Sequence, residues 1–205
     1  MYYHLLKNPE LARVVADITG DGHLQIQEWR YLVSFYSKET EEIEAVKMRF
    51  YNLFQIKGRV YLDNRKNVRY KLFFISKPVT VFLRDIGTPV GNKTNIPFSI
   101  PDWILNGSEE VKAAYLRGLF DSEGTIHCTR GKKPRWRISI EMAKNAKIVR
   151  QGELFLEQVR QLLLNFGIVS SPVRSFDLNV RKDNSKSICS KFDIELHSFS
   201  NTSLF

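Results

Sequence analysis

The feature that most constrains this chain is a helix ending that occurs twice, once in each half of the sequence. Residues 14–22 read VVADITGDG and residues 116–124 read LRGLFDSEG, so each segment closes with an acid followed by a glycine. Aligning the two puts Ala16 opposite Gly118, and a second pair of small residues follows four positions later. Because positions four apart share one helix face, the pattern predicts two helices whose backbones approach closely.

The order of elements around the two endings also repeats. Hydrophobic periodicity and capping residues predict helices at residues 8–20 and 38–56 in the first half, and at 108–121 and 145–166 in the second. Pairs of alternating segments follow these helices, which is typical of strands with one buried face. Each half therefore reads α-β-β-α-β-β, and the first half adds a short helix at residues 77–86.

This order predicts an α+β fold made of two related repeats, at residues 1–87 and 108–205. Residues 88–107 are rich in proline and glycine, which is typical of a linker. The second repeat has no clear counterpart of the helix that closes the first, so we expect its closing helix to be short or absent.

The chain is basic, and its charge is concentrated in the predicted strands. Of its 205 residues, 31 are Lys or Arg and 22 are Asp or Glu, which gives a net charge of +9. Residues 57–71 hold six basic residues against one acid, and residues 130–137 hold five with no acid. Strands with one wet, basic face can lie in the major groove of DNA and also meet phosphates. The segregation indicates a polyanionic partner.

The two repeated acids, Asp21 and Glu123, define a candidate site. If the small helix faces pack together, these carboxylates arrive side by side at helix C-termini, where mutual repulsion and the helix dipole both oppose negative charge. A hard divalent cation with oxygen ligands removes that penalty. Beside a phosphodiester, such a cation can also activate water, so the pattern favours metal-assisted hydrolysis of a nucleic acid.

The paired segments resemble the two signature motifs of the LAGLIDADG homing endonucleases, in the single-chain form that carries both. The second segment is a close match, whereas the first has Asp17 where an apolar residue is usual and Thr19 in place of the mid-motif acid. The resemblance covers almost the whole chain. It implies a pseudo-twofold pair of αββαββ repeats, with the motif helices packed at the centre and antiparallel strands forming a DNA-binding saddle. It also implies a monomer that cuts both strands of double-stranded DNA and leaves 3′ overhangs.

The resemblance further implies the site residues. In this family the last acid of each motif binds the metal, which carries over to Asp21 and Glu123, and we add the preceding Gly20 and Ser122 to the expected metal site. Lys93 matches the linker residue that helps to polarise the attacking water, so Asp21, Glu123 and Lys93 are the expected catalytic residues. The expected cofactor is Mg2+, with Mn2+ or Ca2+ as substitutes for binding.

Side chains on the predicted wet faces of the strands are the expected DNA contacts. They are His23, Gln25, Gln27, Arg30, Arg59, Tyr61, Arg69, Lys71, His127, Arg135, Arg137, Ser139, Asn179, Arg181 and Lys191.

Two other functions fit parts of the sequence. Residues 17–28 resemble an EF-hand loop, with acids at positions 1, 5 and 12 and glycine at position 6, which would make the chain a calcium binder. The same basic saddle could also bind DNA without cutting it, or bind intron RNA as a maturase, since the first motif departs from the family pattern.

Composition excludes several classes of protein. The longest run without a charged residue, at residues 161–173, is 13 residues and too short to span a bilayer. Two cysteines, Cys128 and Cys189, do not make a disulfide scaffold or a zinc site. We therefore expect no membrane partner and an intracellular location.

Overall fold

The computed structural model describes residues 2–64, 68–129, 135–180 and 186–196. The chain divides into two compact units. The first comprises residues 1–93 and 101–122, and the second comprises residues 94–100 and 123–205.

The first unit contains four strands and most of the helices. In chain order its elements are α1 (Pro9–Thr19), β1 (His23–Gln27), β2 (Arg30–Ser37), α2 (Thr40–Phe54), β3 (Arg59–Asp63), β4 (Arg69–Ile75), α3 (Lys77–Asp85), the single-turn α4 (Asp102–Leu105) and α5 (Glu109–Glu123). The strands form one antiparallel sheet, sheet A, in the order β1-β2-β4-β3.

Sheet A has an inner face that packs on α2 and α3 and an outer face on the opposite side. Alternate residues of each strand point inward, because side chains in a strand alternate between the two faces of the sheet. Phe35, Phe74 and Phe50 of α2 form the centre of this core, with the rings of Phe50 and Phe74 stacked 4.0 Å apart. This packing fixes which strand residues remain available on the outer face.

The second unit repeats the same arrangement with one covering helix. Its elements are β5 (Gly124–Thr129), β6 (Arg135–Asn145), α6 (Val149–Leu164), β7 (Arg174–Val180) and β8 (Lys186–Leu196). The strands form the antiparallel sheet B in the order β5-β6-β8-β7. Buried residues of α6, among them Phe155 and Val159, pack on the inner face, where Ile140 and Phe192 are fully buried.

Residues 94–100 are held along the second unit by hydrogen bonds and ring contacts. The backbone of Asn145 donates to the carbonyl of Thr94 at 2.8 Å, and the fully buried Lys144 donates to the carbonyl of Ile96 at 2.9 Å. The Phe98 ring packs edge-on against Phe155, and the Ile100 amide donates to Gln158. This part of the linker is therefore an ordered segment of the second unit.

Glycines at the helix ends serve two different purposes. Gly167 has φ 71°, which glycine adopts without strain, and it closes α6 as the sequence predicts. Gly22 does not have a positive φ, so backbone conformation does not explain a glycine at this position. A Cβ on Gly22 would lie 2.7 Å from the Cα of Ile18 and 2.7 Å from the Phe35 ring, so close packing requires the glycine.

The predicted order α-β-β-α-β-β is confirmed in both halves, with helix ends within a few residues of those expected. The short helix after β4 is α3, whereas the predicted end of the second repeat, from residue 197, lies outside the described residues. The repeat and linker boundaries at residues 87 and 108 stay predictions. No helix in the described part of the chain is both long and apolar enough to span a membrane.

Candidate motif site and nucleic-acid interface

The C-terminal end of α1 is occupied by the ammonium group of Lys93. Its Nζ lies 2.9 Å from the backbone carbonyl oxygens of Ile18, Thr19 and Gly22, and it also donates to the carbonyl of Gly20. A cation in this position balances the partial negative charge of a helix C-terminus. The structure therefore brings a linker residue to the end of the first motif, more than seventy residues away in sequence.

Asp21 lies beside this lysine at the start of the turn into β1. Burial raises the pKa of Asp21, the charge of Lys93 lowers it and the charge of Glu42 raises it again, so that the net shift is upward. Asp21 also borders a cavity of about 280 Å³ in the first unit. A carboxylate in such surroundings is less stable as an anion than one in water and gains from a neighbouring cation.

The other residues of the expected metal site have backbone and helix contacts. The carbonyl of Gly20 accepts from Lys93, and the hydroxyl of Ser122 donates to the carbonyls of Gly118 and Leu119 within α5. Glu123 is the last residue of α5, directly before β5. The meeting of Asp21 with Glu123 at a shared cation stays a prediction.

The chemistry of the donors at this end of α1 fits a hard cation. The Asp21 carboxylate is an oxygen ligand of the kind that Mg2+ prefers, whereas four of the backbone carbonyl oxygens here accept hydrogen bonds from Lys93. Among the described residues, no cluster of three or more His, Cys, Asp or Glu side chains is arranged to hold a metal. Mg2+ commonly binds through one or two carboxylates together with substrate phosphates and water, so a bound nucleic acid would supply the remaining oxygen atoms.

The two motif helices touch at the small residues that the sequence singled out. A Cβ added to Gly118 would lie 2.6 Å from the Cβ of Ala16 and 2.9 Å from the Cδ of Arg13. No side chain larger than hydrogen fits there without a shift, so the predicted close approach of α1 and α5 at this pair is confirmed.

Asp17, the charged residue at a motif position that is usually apolar, is the centre of an ion-pair network. Its carboxylate accepts from Arg13 at 2.8 Å and from Arg49 of α2 at 2.8 Å, while Arg13 also binds Asp121 of α5 at 2.6 Å. The Asp17 side chain is only 11% exposed. The network ties three helices together, and nothing local in the sequence identified Arg49 as its partner.

The same contacts exclude the interpretation of residues 17–28 as a calcium-binding EF-hand loop. Residues 17–19 are helical, residues 23–27 form β1, and both carboxylate oxygens of Asp17 are bound by arginines. A calcium loop needs these residues in a single coordinating turn. The chain uses them for a helix end and a strand instead.

The outer face of sheet A carries the first group of expected DNA contacts. The strand register places these residues on one face, with Leu24, Val33 and Leu72 buried on the other. The group is His23, Gln25, Gln27, Arg30, Arg59, Tyr61, Arg69 and Lys71. Among the described residues of this face, Asp63 is the one acid, and its carboxylate lies 3.7 Å from Arg69.

Aromatic rings lie between the cations of this face. The guanidinium of Arg69 lies 4.2 Å from the centre of the Tyr36 ring, and the ammonium of Lys71 lies 5.4 Å from it. The face of an aromatic ring attracts cations at such distances. Tyr61 and Phe73 stack 5.3 Å apart.

Burial lowers the pKa of His23, and the charges of Lys93 and Lys71 lower it further. His23 is therefore a neutral hydrogen-bonding group at pH 7.

The outer face of sheet B carries a second group of expected contacts, and three cations of this face are paired with acids. Arg137 binds Glu195 at 2.9 Å and Lys191 lies 3.5 Å from Glu141. Arg174 binds Asp193 at 2.7 Å. The sequence analysis did not predict that Asp193 and Glu195 lie on this face. They alternate with the apolar Phe192 and Ile194, and this pattern places them on the same face as Lys191.

The remaining expected contacts on sheet B have different surroundings. His127 and Arg135 lie on the outer face, and Ser139 lies there too but is fully buried, with its hydroxyl 2.9 Å from Nε2 of His127. A direct contact of Ser139 with DNA would therefore require His127 to move. Asn179 lies opposite Ser187 in the register of β7 and β8, and Arg181 lies outside the described residues.

Residues 110–195 match the family described as LAGLIDADG-like domain. The chain also has the fold of solved LAGLIDADG proteins. The homing endonuclease I-WcaI, bound to its DNA recognition sequence, covers 92% of this chain and 76% of its own with a TM-score of 0.53 and 14% identity. The N-terminal LAGLIDADG domain of DUF199/WhiA covers 89% of this chain and 74% of its own with a TM-score of 0.50 and 12% identity.

The resemblance to the LAGLIDADG family is therefore confirmed. The sequence family is matched within residues 110–195, and the fold is shared by almost the whole chain.

Curated relatives match this chain over a small part of their own length. The tRNA-splicing ligase RtcB of Pyrococcus abyssi is 30% identical over 168 residues, which are 77% of this chain and 18% of that protein. The replication factor C small subunit of Methanocaldococcus jannaschii is 34% identical over 122 residues, which are 56% of this chain and 7% of that protein. The chain thus spans less than a fifth of the length of these relatives.

Proposed function

We propose that this protein is a sequence-specific, metal-dependent endonuclease that binds double-stranded DNA as a monomer. The observation that carries the proposal is the end of α1, where four backbone carbonyl oxygens bind the ammonium of Lys93 and its charge acts on the nearby Asp21. Burial raises the pKa of Asp21, and titratable groups with shifted pKa values are common at functional sites.

Each of the proposed catalytic residues has a separate task. Asp21 and Glu123 would hold the divalent cation, and a bound cation would supply activation of water and stabilisation of the leaving oxygen. Lys93 holds the carbonyls at the helix end and carries positive charge where a scissile phosphate becomes more negative. Cations on the outer face of sheet A, such as Arg59 and Lys71, hold the phosphate backbone, and neutral groups such as His23 and Gln25 read base edges.

Two features of the comparisons support this proposal. I-WcaI, which shares the fold, is described as a homing endonuclease bound to its DNA recognition sequence. The matched relatives are named for unrelated activities, including RNA ligation and DNA replication, and share only a small segment of their length with this chain. A segment common to unrelated proteins is readily explained as a separately folding module with its own activity.

A second candidate is a DNA-binding protein of the same fold that no longer cuts. Thr19 stands where the first motif would carry its middle acid, and its hydroxyl donates to the carbonyl of Val15 within α1. Lys93 donates to the backbone carbonyls of Ile18, Thr19, Gly20 and Gly22 at the end of the same helix. Both features suit a purely structural helix end.

Incubation of the protein with Mg2+ and a library of duplex sites separates the two candidates. We expect scission of a subset of sites, and loss of scission by at least about a hundredfold in Asp21→Asn, with DNA affinity within threefold of wild type because phosphate contacts dominate affinity. Asp85→Asn, an acid on α3 paired with Arg84, is the matched control and should cut normally. Binding without cleavage by the wild-type protein would establish the second candidate instead.

A further inference from the structure

The outer face of sheet B contains a cavity of about 470 Å³ with an unusual lining for a DNA-binding surface. It is bordered by two arginines, Arg137 and Arg174, and by two acids, Asp193 and Glu195, with residues 169–172 along one side. The strand register places all four charged residues on the face opposite α6. The cavity therefore lies within the strand face that the proposed function assigns to DNA.

Each arginine in this cavity is held by one acid. Arg137 donates through Nη2 to Glu195 at 2.9 Å, and Arg174 donates through Nη2 to Asp193 at 2.7 Å. The Asp193 side chain is only 10% exposed, whereas that of Arg174 is 59% exposed, so the acid is fixed and the guanidinium reaches solvent. The backbone of Asp193 is fixed in turn by Ser171, through bonds of 2.8 Å and 3.0 Å.

Arg137 has N–H donors beyond the one that binds Glu195. Its Nε is buried and has no hydrogen-bond partner among the described residues. A guanidinium has five N–H donors, and the bond to Glu195 uses one of them. Nε itself is buried, but the Arg137 and Glu195 side chains are 33% and 35% exposed, so Nη donors and a carboxylate reach solvent close together.

Acids on a DNA-facing strand do not help to bind phosphates, because like charges repel. They are favourable near DNA only where an amino group meets them, as N4 of cytosine does in the major groove. An arginine in the same place can bind O6 and N7 of guanine through two donors. A guanine–cytosine pair presents both sets of groups side by side.

We propose that this cavity is a base-reading pocket for guanine–cytosine pairs of duplex DNA, with Glu195 and Asp193 as specificity-determining residues. The inference rests on the proposed function, because it requires the outer face of sheet B to meet DNA. In this arrangement the acids hold Arg137 and Arg174 away from phosphates, so they lower non-specific affinity and increase discrimination between bases.

Selection from a duplex library with a randomised centre, carried out without cleavage in Ca2+, tests the pocket. The variants are Glu195→Gln and, as a matched control, Glu157→Gln, which removes the acid of an Arg160–Glu157 pair on α6 of the same unit. We expect Glu195→Gln to bind unselected duplex about twofold to fivefold more tightly and to lose the preference for guanine–cytosine at one or more positions. Glu157→Gln should select the same sites as wild type.

A pool selected by Glu195→Gln that matches the wild-type pool at every position would overturn the pocket assignment. Should Glu195→Gln melt far below wild type, Arg137→Lys provides the second test, since lysine keeps the charge but cannot bind guanine through two donors of one planar group. Retention of the wild-type sites by Arg137→Lys would also overturn the assignment. Failure of the wild-type protein to bind or enrich any duplex would instead reject the proposed function itself.

Discussion

Sheets A and B have the same strand order, yet the charges on their outer faces are organised differently. On sheet A, Arg30, Arg59 and Lys71 lie on a face with one acid among its described residues. On sheet B, three cross-strand ion pairs lie on the described part of the outer face, with cations from β6, β7 and β8. The same fold thus offers one face suited to general attraction of phosphate and one suited to selective contacts.

This difference has an energetic reason. An uncompensated cation gains Coulomb energy from each phosphate that it meets and releases counterions from DNA. A cation that is already paired with an acid either loses that pair on binding or brings the negative charge close to the DNA. It therefore gains less Coulomb energy from a phosphate. We therefore expect sheet A to supply most of the affinity of this protein for duplex DNA.

The largest expected effect comes from removing cations from sheet A. Replacing Arg59 and Lys71 together by Gln should weaken binding of a random duplex by about tenfold to a hundredfold at 0.15 M salt and reduce the salt slope by about 2, since two phosphate contacts are lost. Fluorescence anisotropy over a range of KCl concentrations measures both quantities. Affinity within twofold of wild type would show that sheet A is not the anchoring face.

A smaller effect is expected when a compensated pair is removed from sheet B. Replacing Lys191 and Glu141 together by Gln changes no net charge and deletes one ion pair at 3.5 Å. Random-duplex affinity should stay within about threefold of wild type in the same anisotropy measurement, because a partly exposed pair contributes little. A loss of tenfold or more would mean that both sheets anchor the DNA equally.

The smallest expected effect concerns the pH dependence of sheet A through His23. Its folded pKa lies below the ordinary value of 6.5, so the unfolded chain takes up the proton first and stability falls as the pH decreases below about 6.5. In His23→Gln this part of the pH dependence should be absent, which is a difference below about 1 kcal/mol. Urea denaturation at pH 7.5 and pH 5.5 measures it, and equal pH dependence in the two proteins would contradict the assignment.

Much of the fold followed from local sequence patterns. Alternation fixed which strand residues share a face, as at His23, Gln25 and Gln27, because period two is a property of the strand itself. Helix ends were recognised from capping residues and glycines, as with Gly167 after α6. The small pair Ala16 and Gly118 predicted the contact of α1 with α5, since nothing larger fits between two close backbones.

Other features depended on contacts between residues far apart in the chain. The pairing of Asp17 with Arg49 and of Arg137 with Glu195 follows from helix packing and strand register, which no local pattern specifies. Lys93 could be proposed by resemblance, but only the tertiary structure brought its ammonium to the carbonyls at the end of α1. The sequence by itself determined the elements, their order and the polarity of their faces, because these depend on neighbours along the chain. The tertiary structure alone decided which cations are compensated, because an ion pair requires two side chains to meet within about 4 Å.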